Sequence, residues 1–528
     1  MKFERPDDVN GAKGDLLDIV SAWCTSRDQQ RGSMYAGFGF RRFEIGDVDV
    51  VFHDGTFHLF HLVLPNHDYI AHAVSDDGLT WQRVANALFI SDPGNWDDDM
   101  LWTMQVTPDP HRSGWWQMFY TGLQMSEEGR IQRVGVAASP DLYQWEKVPG
   151  PHYPIAAQPP YYEATLDEGR GWVSFRDPFY LRRDDTGFLL AASREPTGPV
   201  NRRGAVALAE ETAPDHFELR PPLYAPGRYD DIEVPGIVEI DGRFYLLGSI
   251  REDVKVHYWY ADDFFGPYRN FHDNVLLPQG NYAARVWYHE ATDTWVVWNF
   301  YFRDGTTRGE HLLPPPKEIV VADSGLLRLR SYRGFNLKVT STARSDGLAP
   351  LEPLFGRPET VCDDNATGCL LESPSGFEAF LIPGLHHDYR LSGKITLEGD
   401  GKLGLVMRLS EEGDGYYISL DPFKGLSQIR YWAQNPGGGI EEAFEYKPLQ
   451  ASYQVPRPGP IPFTLIAYGT YIELSLYGYV VLTLSDERRH LGRVGFYAES
   501  SRFRVADLVL ETLTCPAADP FVSSPATN

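Results

Sequence analysis

Residues 48–63 read VDVVFHDGTFHLFHLV. Two runs of β-branched and aromatic residues flank Asp54-Gly55. Glycine accepts positive φ without steric cost, so the stretch predicts a tight β-hairpin. Working outward, the same texture recurs in WWQMFYTGL, RVGVAAS, GFLLAAS, GIVEIDGRFYLLGSI and TWVVWNFYF. Asp185-Thr186-Gly187 and Asp241-Gly242 supply equivalent turns. SDDGLTW (75–81) and SPDLYQW (139–145) are two copies of one corner, and YADDFFGPY (260–268) is a looser third. Acidic or polar residues open strands near Asp47, Asp99, Asp177, Glu233 and Asn281. Their intervals average roughly 50 residues, the length of one four-stranded propeller blade. Five openings predict an all-β, five-bladed propeller over residues 37–335, behind an N-terminal extension (1–36).

From about residue 326 the texture changes. A linker is expected over 336–354. Beyond it, HDYRLSGKITLEG, KLGLVMRLS, GYYISLDP and PFTLIAYGTYIELSLYGYVVLTLS alternate apolar and polar residues. That period of two predicts sheets with one buried face, hence a lectin-like β-sandwich over 355–515. The tail 516–528 has no apolar pattern and is expected to be loose.

Composition narrows the function. The 528 residues carry a formal net charge of −25, and no Lys/Arg run forms a basic patch. Nucleic acid and anionic membranes would be repelled, whereas a neutral glycoside or small oligosaccharide would not. Cys24, Cys362, Cys369 and Cys515 form no CxxC pair, so no structural zinc site is expected, and free thiols are favoured over a Cys362–Cys369 bridge. No cofactor and no metal is expected. No apolar run reaches the roughly 18 residues that span a membrane, and the N-terminus does not read as a leader, so a cytoplasmic location is expected.

Three phrases carry the chemistry. They are Gly46-Asp47-Val48-Asp49, Ser174-Phe175-Arg176-Asp177-Pro178-Phe179 and Tyr229-Asp230-Asp231-Ile232-Glu233-Val234-Pro235. In each, an acid stands at the mouth of an apolar strand. The innermost strands of a propeller surround one funnel, so acids that open them converge however far apart they lie in sequence. Glycoside hydrolysis needs that convergence: one carboxylate attacks or activates water, and another donates a proton to the leaving oxygen. Asp47 and Asp49 lie on one face of a strand and compete for the first role; Asp47 is preferred because it is nearer the mouth.

These phrases resemble the β-fructosidase superfamily, above all glycoside hydrolase family 32. Arg176-Asp177-Pro178 matches that family's Arg-Asp-Pro, and Glu233-Val234-Pro235 its Glu-Cys-Pro. His72-Ala73-Val74-Ser75, Phe119-Tyr120-Thr121-Gly122, Asn281-Tyr282-Ala283 and the closing Leu313-Pro314-Pro315-Pro316-Lys317-Glu318-Ile319 are similar too. The resemblance implies a propeller followed by a sandwich. It implies Asp47 as nucleophile, Asp177 as transition-state stabiliser and Glu233 as general acid/base, in a retaining cleavage of a fructofuranoside with possible fructosyl transfer. Arg176, Asp49, His72, Trp102, Asn281 and Tyr282 are the expected substrate-binding residues. Trp102 falls where the family has a pocket aromatic, and it either stacks on a sugar or packs the blade. The opening Glu44-Ile45-Gly46-Asp47-Val48-Asp49 departs from the family's Trp-Met-Asn-Asp-Pro-Asn-Gly. Its shorter spacing is similar to family 43, which keeps open an inverting arabinofuranosidase or xylosidase, and a glycan-binding propeller without catalysis.

Overall fold

The computed structural model describes residues 34–35, 44–307, 310–365, 368–435, 443–454 and 457–514. The expected N-terminal extension, save Met34 and Tyr35, lies outside them, as do the tail, Cys24 and Cys515.

Five antiparallel sheets follow one another in chain order, each built from consecutive strands. Their first strands are Glu44–His53, Met100–Pro108, Arg176–Arg183, Glu233–Ile240 and Asn281–His289. These pack against one another in a closed ring, so each is the inner strand of a propeller blade. The five openings expected from the sequence therefore all fall at or beside the start of an inner strand. Closure removes the exposed sheet edges that a flat array of this size would present.

The repeated corner has a local cause. Ser75 Oγ accepts from the Gly78 amide (2.9 Å), and Asp77 Oδ1 accepts from the Leu79 and Thr80 amides (2.7 Å each). Ser139 and Asp141 repeat this on Leu142 (2.8 Å), Tyr143 (2.8 Å) and Gln144 (2.8 Å). The turn needs positive φ at its fourth residue, which Gly78 supplies at 70° and Leu142 adopts at 69°. Side chains thus take over amides that the end of a strand leaves unpaired.

The C-terminal half is sandwich-like, but its two layers belong to one hydrogen-bonded network. Gly368–His386 and Gly492–Leu513 are long enough to run through both layers. Register shifts between Ser373 and Phe377 and between Ile382 and His386 let the first of them turn the corner. Val339–Arg344, inside the stretch expected as linker, pairs with the last strand, covering what would otherwise be an open edge. Cys362 and Cys369 are free thiols on one hairpin, with Sγ atoms 3.7 Å apart.

The two halves share a core. Leu79, Tyr301, Leu312 and Phe335 of the propeller side join Leu465, Tyr468, Tyr471 and Leu484 of the sandwich. A buried polar seam runs beside it. Asn281 Nδ2 donates to the Thr483 carbonyl (2.9 Å), and Gln450 Nε2 bridges the Gln279 and Thr483 carbonyls (2.7 and 2.9 Å). Lys317 is wholly buried in the seam, its Nζ donating to the Pro315 carbonyl (2.9 Å) and lying over the Tyr471 ring. Burial pulls Lys317 down to about 8, and Glu473 of the sandwich, itself buried and bonded by Ser331 and Tyr471, opposes that shift. Among the described residues no helix is long and apolar enough to cross a membrane.

Candidate active site

Every inner strand breaks register at the same level. The shifts fall between Ile45 and Val48, Trp102 and Met104, Arg176 and Phe179, Glu233 and Gly236, and Tyr282 and Arg285. Each is a β-bulge, an extra residue that re-aims the side chains around it. The bulges carry Asp47, Thr103, Asp177, Val234 and Ala283, and the residues just ahead of the last three are Arg176, Glu233 and Tyr282. Asp177, Val234 and Ala283 are held at φ of 59°, 48° and 53°. A β-branched residue in this region is strained by about 1–3 kcal/mol and persists only where its surroundings hold it.

The bulges also explain the prolines of the motifs. Proline has no N–H to give a sheet ladder, so within a sheet it is tolerated at a bulge. Pro178 and Pro235 occupy such positions, and their carbonyls accept from Arg285, Nη2 to Pro178 (2.8 Å) and Nη1 to Pro235 (2.7 Å). Arg285 is buried on the inner strand of blade 5 and ties blades 3 and 4 together.

The site residues are stitched blade to blade. The Thr103 hydroxyl donates to Asp47 Oδ2. The Asp177 amide donates to Thr121 Oγ1 (3.0 Å), and Asp177 Oδ2 accepts from the Val234 amide (2.9 Å). Glu233 Oε1 accepts from Arg176 Nη2 (2.7 Å) and Arg251 Nη2 (2.8 Å), while Oε2 accepts the Tyr282 hydroxyl. Arg176 is held in turn by Gln132 (3.2 Å), Ser174 (3.0 Å) and Asp231 (3.1 Å). Asp231 stays low in spite of burial because Arg176 and Arg170 face it.

Electrostatics bind the acids into one unit. Burial pushes Asp47 up to about 7, with Asp177 and Glu233 adding to the rise and the Thr103 hydrogen bond and Arg285 opposing it. Burial also raises Asp177, against the pull of the adjacent Arg176. Like charges in a shared low-dielectric site cannot all ionise freely, so a proton is retained among them.

Asp47, Asp177, Glu233, Arg176 and Tyr282 are therefore brought together. Asp49 lies one strand step deeper: it is buried, accepts from the Val106 amide (2.6 Å), and is raised to about 6 by burial. It braces blade 1 against blade 2. Trp102 flanks the blade 2 bulge, half-buried beside His67, with a buried indole N–H that has no hydrogen-bond partner.

Two expected residues fall elsewhere. His72 belongs to the third strand of blade 1, where its ring stacks on Phe60 and Nε2 meets His58 Nδ1 at 3.0 Å. It is packing, because the third strand of a blade lies away from the axis. Asn281 opens an inner strand, yet its side chain turns to the Pro278 and Thr483 carbonyls and to Asn299, so it braces the domain seam. Thr103, Arg251 and Arg285 were missed: one of two threonines in MLWTMQVTP and isolated arginines have no motif around them. Among the described residues no group of His, Cys, Asp or Glu is placed to hold a metal ion.

Residues 48–299 match the model of the Glycosyl hydrolases family 32 N-terminal domain, a span that contains Asp177 and Glu233 and begins directly after Asp47. No curated protein sequence matches the chain. Among solved structures, fructan 1-exohydrolase IIa from Cichorium intybus superposes with a TM-score of 0.66 at 13% identity, covering 94% of this chain and 99% of that one. Sucrose-6-phosphate hydrolase from Lactobacillus gasseri gives 0.66 at 14% identity, covering 98% and 99%. The family 32 β-fructofuranosidase of Bombyx mori, in complex with sucrose, gives 0.63 at 14% identity, covering 96% and 99%. At such identities the structural likeness speaks for the shared propeller-and-sandwich fold, and the family match speaks for the propeller's kind. This chain carries a family 32 glycosyl hydrolase N-terminal domain, and it is a glycoside hydrolase.

Proposed function

We propose that the chain cleaves a β-fructofuranosidic bond with retention of anomeric configuration. In this reading Asp47 attacks the anomeric carbon, Glu233 protonates the leaving oxygen and then activates water, and Asp177 with Arg176 steadies the sugar as charge develops. The observation that carries it is the convergence of three acids from blades 1, 3 and 4 on one bulge level, with Glu233 reached by donors that fix its orientation. Carboxylates from separate blades in one shared site supply the proton donor and the nucleophile that a two-step mechanism needs. Neighbours of the same fold include a sucrose-6-phosphate hydrolase, a fructan 1-exohydrolase and a β-fructofuranosidase in complex with sucrose, which supports a fructosyl substrate. Fructosyl transfer follows from the same covalent intermediate whenever a sugar hydroxyl replaces water.

Gly46 favours a second reading. A Cβ there would lie 2.8 Å from Leu62 Cβ, so the position before Asp47 admits no side chain without a shift. The asparagine grip of the family's usual opening is therefore missing, as in an inverting enzyme of another sugar. One experiment separates the two. A panel of sucrose, 1-kestose, inulin and aryl arabinofuranosides identifies the substrate, and NMR of the first-formed sugar reports its anomer. Retained configuration on a fructoside is expected; an inverted product makes Asp47 a general base. Glu233→Ala should lower turnover by roughly 10²–10⁴-fold with the fold intact. Azide should partly restore it on a substrate with a good leaving group, and full activity in that variant removes Glu233 from the mechanism.

A further inference from the structure

Three donors hold the Glu233 carboxylate, and they differ in how firmly they are held themselves. The Arg176 side chain is 6% exposed and is pinned by Gln132, Ser174 and Asp231. Tyr282 is buried at the start of the blade 5 inner strand. Arg251 stands in the turn where the second strand of blade 4 returns to the mouth, and its side chain is 71% exposed. Both guanidinium groups share Oε1, and Tyr282 takes Oε2. A general acid must turn one oxygen, with its proton, toward the leaving group. Oε1 already accepts two charged donors, so that oxygen can turn a proton toward the leaving group only when one of them withdraws.

We propose that Arg251 is a positioning residue: it caps the Glu233 carboxylate from the leaving-group side and yields its place as the leaving sugar arrives. Exposure makes it the donor that can move, since a long solvated side chain changes rotamer at little cost. The groups facing Glu233 are Arg176 on blade 3, Asp177 on blade 3, Asp231 ahead of blade 4, Arg251 on blade 4, Tyr282 on blade 5 and Asp47 on blade 1. Within this set Arg251 is the one cation that solvent reaches freely. Glu233 in turn raises Arg251.

The inference rests on Glu233 being the acid. Its test is the pH dependence of kcat/KM on 1-kestose, paired with carbodiimide labelling of Glu233 read by peptide mass spectrometry across pH. Carbodiimides react with the protonated carboxyl, so the labelling midpoint needs no turnover. In Arg251→Gln the alkaline limb and the labelling midpoint both move upward, by roughly half to one pH unit, because one of two cations has gone. Arg251→Lys, which keeps the charge, returns most of that shift. An unmoved limb and midpoint in Arg251→Gln overturn the proposal, as does an equal shift in Arg251→Lys. If 1-kestose is not cleaved, the labelling midpoint decides alone. Full activity in Glu233→Gln defeats the acid assignment, while a moved midpoint in Arg251→Gln still reports the capping contact.

Discussion

The propeller and the sandwich both bury charge, and they do so to opposite ends. In the sandwich, Arg408 is fully buried with its guanidinium on the Gly469 and Arg489 carbonyls, and Asp486 accepts from Tyr416 (2.6 Å) and Arg488. Each charge is held by hydrogen bonds to its own neighbours. In the propeller, Asp47, Asp177 and Glu233 come from separate blades and meet at one level, where Asp177 and Glu233 raise Asp47 and Glu233 raises Asp177. Burial alone makes a brace; burial shared among like charges at a common opening makes a site that can keep and release a proton.

The comparison breaks most visibly at Asp47. Replacing it by Asn should lower turnover by roughly 10³-fold or more, equivalent to about 4 kcal/mol of barrier. Asp49→Asn, one strand step deeper and engaged with a backbone amide, should lose about tenfold or less. Steady-state kinetics on a single fructoside compares the two, and equal losses would mean that depth in the funnel does not separate chemistry from support. The next effect belongs to the seam. Lys317→Met leaves Glu473 buried without its cation and should cost about 3–5 kcal/mol of stability, seen as a lower denaturant midpoint, while turnover well below the transition is kept. The smallest effect is spread over blade 1. Burial lowers His58 to about 4, His61 to about 3 and His67 to about 4. An unfolded histidine titrates near 6.5, so between that pH and about 4 the unfolded chain binds more protons than the folded one. The histidines' contribution to stability should be full above about pH 6.5 and fall progressively toward pH 4, while the raised Asp47 and Asp49 act in the opposite direction. Hydrogen exchange at descending pH should show blade 1 loosening before the sandwich.

Much of this was legible in the chain. Strand openings and Ser-x-Asp corners repeat because every blade must solve the same turn, and local hydrogen bonding is written in local residues. The carboxylates were legible because each opens a strand of strongly apolar texture. The bulges were not, since an extra residue does not interrupt an apolar run long enough to be seen. Thr103 and Arg285 escaped for that reason: their partners lie on other blades, 50 to 110 residues away in sequence. Asn281 was misplaced because the sandwich covers its face, and docking between distant segments leaves no mark on a three-residue phrase. His72 sat in a family-like phrase, but which strand of the blade it occupies depends on hairpin counting that the sequence blurs.

The ring of bulges has a consequence for how such a site changes over time. Five equivalent sockets surround the axis, and their mutual spacing is inherited from the number of blades, not from any loop. Three of the five blades have an acid at the socket or directly before it; blades 2 and 5 seat Thr103 and Ala283. A new reactive group can therefore be introduced, or an old one retired, by a single codon change, without repacking a core or lengthening a turn. The scaffold holds geometry fixed while its occupants are exchanged, much as a socket wrench keeps its handle when the bit is changed.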